Sequence, residues 1–252
     1  MKRLTLAVNA IIITAILLYV GGSCSKSSNS GSNNNGLSST PTAQAAYDNQ
    51  SGGVYKGAIT GSNGYFEVNL QTGKPFIVYQ WTNPQGSIDT LFPTSLSNWQ
   101  SGQAIEEALF LGADGSKFWF SVDANGGNPS IDSIYIPSHA GPVYAMIAKE
   151  LSTNQVKVYQ GVAKASSTNG GNCSDAVVTT WISGSAAGGT YLAANGDHGD
   201  LIGTVSGSQV QVIAGGNNNE TGTLAIGSNG STITGTVSNN SCSHTVSLTR
   251  IF

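Results

Sequence analysis

The chain has 252 residues, of which only 9% are charged and 33 are glycine, where an average protein has about 25% charged residues and about 7% glycine. Past Ser23 there are 8 Lys/Arg against 13 Asp/Glu, with no basic cluster. Nucleic acid is therefore not an expected partner, because its binding depends on clustered cations that neutralise phosphates.

The first element is a targeting segment. Met1-Lys2-Arg3 is a short positive start, and Leu4 to Val20 is an uncharged run of 17 residues, the short edge of what spans a bilayer as a helix. Gly21-Gly22-Ser23 then supplies the small residues that a signal peptidase requires. Residues 1–23 thus read as a signal peptide. Gly21-Gly22-Ser23-Cys24 resembles the lipobox of bacterial lipoproteins, although Gly21 stands where an aliphatic residue is usual. The resemblance covers residues 1 to about 26. It implies that the chain is cut just before Cys24, that Cys24 is acylated, and that the protein is a cell-envelope lipoprotein. Its expected place is the outer membrane, facing the periplasm or the cell surface, with the membrane as its partner. The alternatives are ordinary cleavage after Ser23 and an uncut anchoring helix; either still exports the chain. Residues 24–50 then read as the lipidated Cys and a Ser/Asn/Gly-rich tether. It has too few apolar residues to offset the entropy of ordering, and as a coil it reaches about 30 Å.

The remaining residues read as strands and turns, so the expected fold class is all-β. Antiparallel meander strands form two β units, each a barrel or a sandwich, at 51–157 and 158–252; one larger barrel is the second choice. In the first unit, the runs at 54–57, 65–70, 76–81, 118–122 and 131–136 are rich in aromatic and β-branched residues. The only expected helix is a turn or two around Gln103 to Leu109. A hairpin is expected from Tyr144–Leu151 through Ser152-Thr153-Asn154 and back over Val156–Gly161. Val158-Tyr159-Gln160-Gly161 echoes Val54-Tyr55-Lys56-Gly57 and suggests a duplicated β unit. In the second unit, short β-branched runs with period-two alternation start at Leu201, Gln209, Gly222, Ser231 and His244. Gly/Asn/Ser turns that tolerate positive φ separate them. The Gly-Thr-Val-Ser pieces at 203–206 and 235–238 resemble those of glycine-rich, lipocalin-like small barrels. Residues 54–150 hold 14 aromatic residues and residues 151–252 only four, so the first unit should have the heavier core.

With Cys24 assigned to lipid, Cys173 and Cys242 remain, and in an oxidising compartment they read as a disulfide. The alternative is a thiol nucleophile partnered by the nearby His244. Catalytic residues are otherwise not in evidence. Glu106 and Glu107 are adjacent, which on a strand sends them to opposite faces, whereas glycoside hydrolysis needs two carboxyls converging on one bond. Asn195-Gly196-Asp197-His198-Gly199-Asp200 lacks the spacing of a calcium loop and reads as a turn. No metal and no cofactor is expected.

Binding, if aromatic, would use Tyr79, Trp81 or Trp119. In Phe118-Trp119-Phe120 the pleat turns Trp119 away from its neighbours, and Tyr79 and Trp81 share a face. Such side chains hold sugar faces, or fill a core. The expected function is that of a membrane-anchored, non-enzymatic binding module. A structural envelope protein is the alternative; a glycan-binding or small-hydrophobe-binding protein and, last, a hydrolase follow. A closed barrel with an apolar cavity would favour the small-hydrophobe reading.

Overall fold

Alternation of buried and more exposed side chains is clearest in strands such as Lys117–Val122, His198–Ser206 and Gln209–Ala214. A computed structural model describes residues 41–62, 64–71, 73–81, 87–137, 139, 143–167, 173–215 and 219–251. The segment read as a signal peptide, Cys24 and the first part of the expected tether lie outside the described residues.

The first eight strands are β1 (Val54–Thr60), β2 (Tyr65–Asn69), β3 (Phe76–Trp81), β4 (Ser87–Pro93), β5 (Ile105–Gly112), β6 (Lys117–Val122), β7 (Ser130–Tyr135) and β8 (Tyr144–Glu150). They form one antiparallel sheet in the order β7-β6-β5-β4-β3-β2-β1-β8. This is a meander whose last strand returns beside the first, and β7 and β8 come close without pairing. The next eight are β9 (Lys157–Ser167), β10 (Ala176–Ser183), β11 (Ala186–Ala193), β12 (His198–Ser206), β13 (Gln209–Ala214), β14 (Glu220–Ile226), β15 (Thr232–Ser238) and β16 (Cys242–Arg250). They make a closed up-and-down barrel, in which β9 pairs with both β10 and β16. The fold is all-β, with two antiparallel eight-stranded units.

The two units are filled differently. In the first, Tyr55, Phe66, Tyr79, Phe110, Phe118 and Phe120 pack together. Edge-on ring pairs such as Tyr55–Phe120 (5.4 Å) and Phe66–Phe118 (5.6 Å) each contribute about 1 kcal/mol beyond their buried area. In the second, the interior is mostly Ala and Val: Ala163, Ala176, Val178, Val212, Val237 and Val246, with Tyr159 the one fully buried ring among the described residues. An eight-stranded barrel is just wide enough for side chains to fill. Small ones leave space.

β1 is buried on both faces. Tyr55 and Ile59 enter the aromatic core, while Ala58 joins Tyr65, Met146, Ala148, Val156 and Val158 in a separate cluster. Trp181 of β10 packs against that cluster, lying over its direct cross-strand partner Gly188, where a Cβ would come within 2.7 Å of the indole. The outer face of β1, β2 and β8 is thus covered by the barrel wall.

Three local expectations are corrected. Around Gln103 to Leu109 there is no helix but strand β5, interrupted by a bulge. Ile105 pairs with Val122 and Ala108 with Phe120, so Glu106 and Glu107 together oppose the single residue Ser121, with Glu107 at φ 48°. Both residues are exposed, a solvated pair. The expected hairpin of residues 144–161 turns where anticipated, with a bridge between Leu151 and Asn154. Its arms then part, β8 to β1 and β9 into the barrel. The last part of the expected tether belongs to the fold instead, because residues 41–50 are held to it. Thr42 donates its N–H to Glu150 Oε1 at 2.7 Å, and Asp48 accepts from the Ser152 N–H and hydroxyl at 2.8 and 2.7 Å. A short 3-10 helix, Ala45–Tyr47, lies between those contacts.

Candidate functional site: the mouth of the closed barrel

Inward positions of the barrel strands run Cys242, His244, Val246, Leu248 on β16 and Glu220, Leu224 on β14, each row of side chains ending in polar groups at the same end. There they surround a cavity of about 80 Å³. Its wall is aliphatic, including Ala163, Ala176, Val178, Val212, Leu224 and Val246; its rim includes Ser174, Tyr191, Asp197, Glu220 and His244. The opposite end is closed near Gly230, whose carbonyl accepts the Tyr159 hydroxyl at 2.9 Å.

At the rim, His244 Nδ1 lies 2.7 Å from Glu220 Oε2, and His244 Nε2 lies 3.0 Å from the Ser174 carbonyl oxygen. A carbonyl only accepts, so Nε2 donates to it. Both ring nitrogens are therefore engaged. Tyr191 donates its hydroxyl to the Gly215 carbonyl at 3.0 Å. Burial, and then the carboxylates of Asp197, Glu220 and Asp200, push that phenol up to about 12, so it remains a donor.

The disulfide Cys173–Cys242 forms part of the same end, with Cα atoms 5.7 Å apart. It excludes the thiol alternative, since His244 has no free thiol to activate. The Asn195–Asp200 segment divides. Asn195 and Asp197 reach the rim, where the Asn195 side chain accepts the Asp197 N–H at 3.0 Å around Gly196 at φ 88°. His198 instead stacks on Tyr144 of β8, ring centroids 4.4 Å apart. Among the described residues, no group of three or more His, Cys, Asp or Glu is placed to hold a metal ion.

The three aromatic candidates separate as well. Tyr79 is buried, 4% exposed, and its hydroxyl donates to Asp114 at 2.7 Å beside Ser116. It belongs to the core and offers no stacking surface. Trp81 ends β3 opposite Ser87; its side chain lies outside the described residues. Trp119 is half-buried on the outer face, while Phe118 and Phe120 are fully buried, as the pleat requires. Beside it the register places Phe92, Leu111, Lys117 and Tyr135 in one row across β4 to β7. Phe92, Leu111 and Tyr135 are 57%, 42% and 52% exposed. The Lys117 ammonium sits 5.8 Å from the centre of the Tyr135 ring.

Sequence reasoning does not single out Glu220. Its one signal is an acid continuing the inward period-two face of Leu224, which is visible only once the strand's facing is known. No family model matches the chain, and neither a curated protein nor a solved structure matches it.

Proposed function

We propose that this is an exported, membrane-tethered binding protein without catalytic activity, whose closed barrel takes a small, largely apolar group at its mouth. The observation that carries the reading is the 80 Å³ cavity, walled by small aliphatic side chains and rimmed by Glu220, His244 and Tyr191. A cavity of about 150 Å³ with such a wall stays dry and accepts benzene. One of about half that volume suits a short or branched alkyl group, with the polar part of the ligand at the rim. The disulfide leaves no thiol at the rim to act as a nucleophile, while the His244–Glu220 contact is the one feature there that a hydrolase would also need. Export and tethering rest on residues 1–24 and agree with the disulfide.

Short-chain alcohols of two to six carbons, titrated against the mature protein, test the barrel. Saturable shifts of the Val178, Val212 and Val246 methyl resonances are expected, and Ala176→Phe, which fills the cavity, should abolish them. No shift at those methyls, or undiminished shifts in the variant, would overturn the barrel reading. For the anchor, Cys24→Ala should abolish metabolic fatty-acid labelling and detergent-phase partitioning; persistence of both would refute acylation at Cys24.

A second reading is favoured by the row Phe92, Leu111, Lys117, Tyr135 beside Trp119. Exposed aromatic rings in a row on a sheet face, with Ser133 and Asp132 adjacent, can stack on pyranose faces. Trp119→Ala and Tyr135→Ala should then eliminate retention on polysaccharide affinity gels while leaving the fold intact. Silence in both screens would support a structural envelope role.

A further inference from the structure

The outer face of β8, β1 and β2 holds three ionisable groups side by side inside the protein. Lys56 and Glu150 side chains are both fully buried, with Nζ 2.6 Å from Oε2. Glu67 stands directly opposite Lys56 in the β1–β2 register and is also buried. One cation is thus enclosed with two carboxyls, among Ala58, Tyr65, Met146, Ala148 and Val156. Burial raises the Glu67 carboxyl, and the Glu150 charge adds to this, against the opposing effects of Lys56 and Asn69; Glu67 is accordingly the member that readily carries a proton. The Glu150 oxygens accept further hydrogen bonds from the Thr42 N–H at 2.7 Å, the Thr42 hydroxyl at 3.3 Å and the Val156 N–H at 3.4 Å. The Val156 N–H is on Oε2, the oxygen that Lys56 contacts, whereas both Thr42 donors are on Oε1, where negative charge would develop if the carboxyl carbon became tetrahedral.

We propose that Lys56 and Glu150 condense in the folded protein to an intramolecular amide, with Glu67 as the proton relay. A proton passes from Nζ to the Glu150 carboxylate across their 2.6 Å contact. The amine lone pair then attacks Cδ of Glu150, forming the C–N bond. Glu67 donates its proton to the departing hydroxyl and receives one from the nitrogen. The C–O bond breaks, and one water leaves. Atoms balance with no oxidant or activating group, and exclusion of solvent disfavours the reverse hydrolysis. Holding the two groups in contact supplies the proximity such a step needs. The bond would fasten β8, which among the described residues pairs only to β1, in a sheet in which no β7–β8 pairing is present among those residues.

Trypsin digestion of the reduced, denatured mature protein tests this directly. An amidated Lys56 is not cleaved, and Lys74 precedes proline, so residues 27–117 should appear as one peptide joined to 150–157. The mass of the joined species should be that of peptide 27–117 plus that of peptide 150–157, less one water. Separate peptides 27–56, 57–117 and 150–157 would overturn the proposal. In Glu67→Gln, confirmed as folded by circular dichroism, the separate peptides are expected; a joined peptide there would overturn the role of Glu67.

Discussion

Gly57 on β1 and Gly161 on β9 occupy equivalent stations, each two residues after a fully buried tyrosine and each against the last strand of its unit. A Cβ at Gly57 would lie 2.3 Å from the Met146 carbonyl oxygen, and one at Gly161 would lie 2.1 Å from that of Ser247. Each tyrosine hydroxyl donates to a backbone carbonyl, though at different places: Tyr55 to Ser51 O, four residues before it, at 2.7 Å and Tyr159 to Gly230 O in the β14–β15 turn at 2.9 Å. The four-residue echo in the sequence therefore marks the same structural position in two meanders that differ in closure.

Gly161→Ala should cost about 2–3 kcal/mol, because a backbone carbonyl cannot move aside as a flexible side chain can. Gly73, where a Cβ would meet nothing within 4 Å, is the control, and Gly73→Ala should stay within about 0.5 kcal/mol. Urea denaturation of the two variants distinguishes them; equal effects would refute the close-approach argument.

The disulfide joins residues 69 apart in sequence. On the chain-entropy account its removal costs about 4 kcal/mol. A Cys173→Ser/Cys242→Ser double variant should melt well below the oxidised protein by calorimetry. The oxidised protein, once reduced, should melt with the variant.

The His244–Glu220 pair makes a prediction with an internal control. His244→Ala leaves Glu220, 5% exposed, without its ring partner and should cost about 3 kcal/mol. Adding Glu220→Leu removes the stranded carboxylate and should restore much of the loss. A double variant less stable than His244→Ala would contradict this account of the rim.

Stability should depend on pH in opposite senses at different carboxyls. Glu67 is raised in the folded protein, so its contribution is full below about pH 4.3, the unfolded value. That contribution is lost as pH rises through the folded value. Asp48, lowered by the Ser152 N–H and hydroxyl, and Asp175, lowered by Lys164 and the Ala165 N–H, contribute above about pH 3.9. Theirs is lost as pH falls through the lowered values. Denaturation of wild type and Glu67→Gln from about pH 4 to about pH 8 checks the first sign. The wild type should lose stability relative to the variant as pH rises; a parallel pair of curves would refute it.

What sequence alone determined follows from local chemistry. Period-two alternation and Gly/Asn turns specified an all-β chain of meander strands, the pleat placed Trp119 opposite Phe118 and Phe120, and two cysteines in polar loops specified a bridge. The contrast of 14 aromatic residues against four was also legible as a heavier first core, and its complement is the small-residue barrel that leaves a cavity. Other features needed the third dimension. The bulge at Glu106–Glu107 depends on what β6 offers for pairing, and the parting of β8 from β9 depends on which edges each finds. Glu150 is 94 residues from Lys56 in the chain, and Glu220 is 24 from His244. Each is an ordinary charged residue until strand register and closure bring it beside its partner and remove the water. Closure is the decisive quantity, because it is a sum over eight strands and no local window contains it.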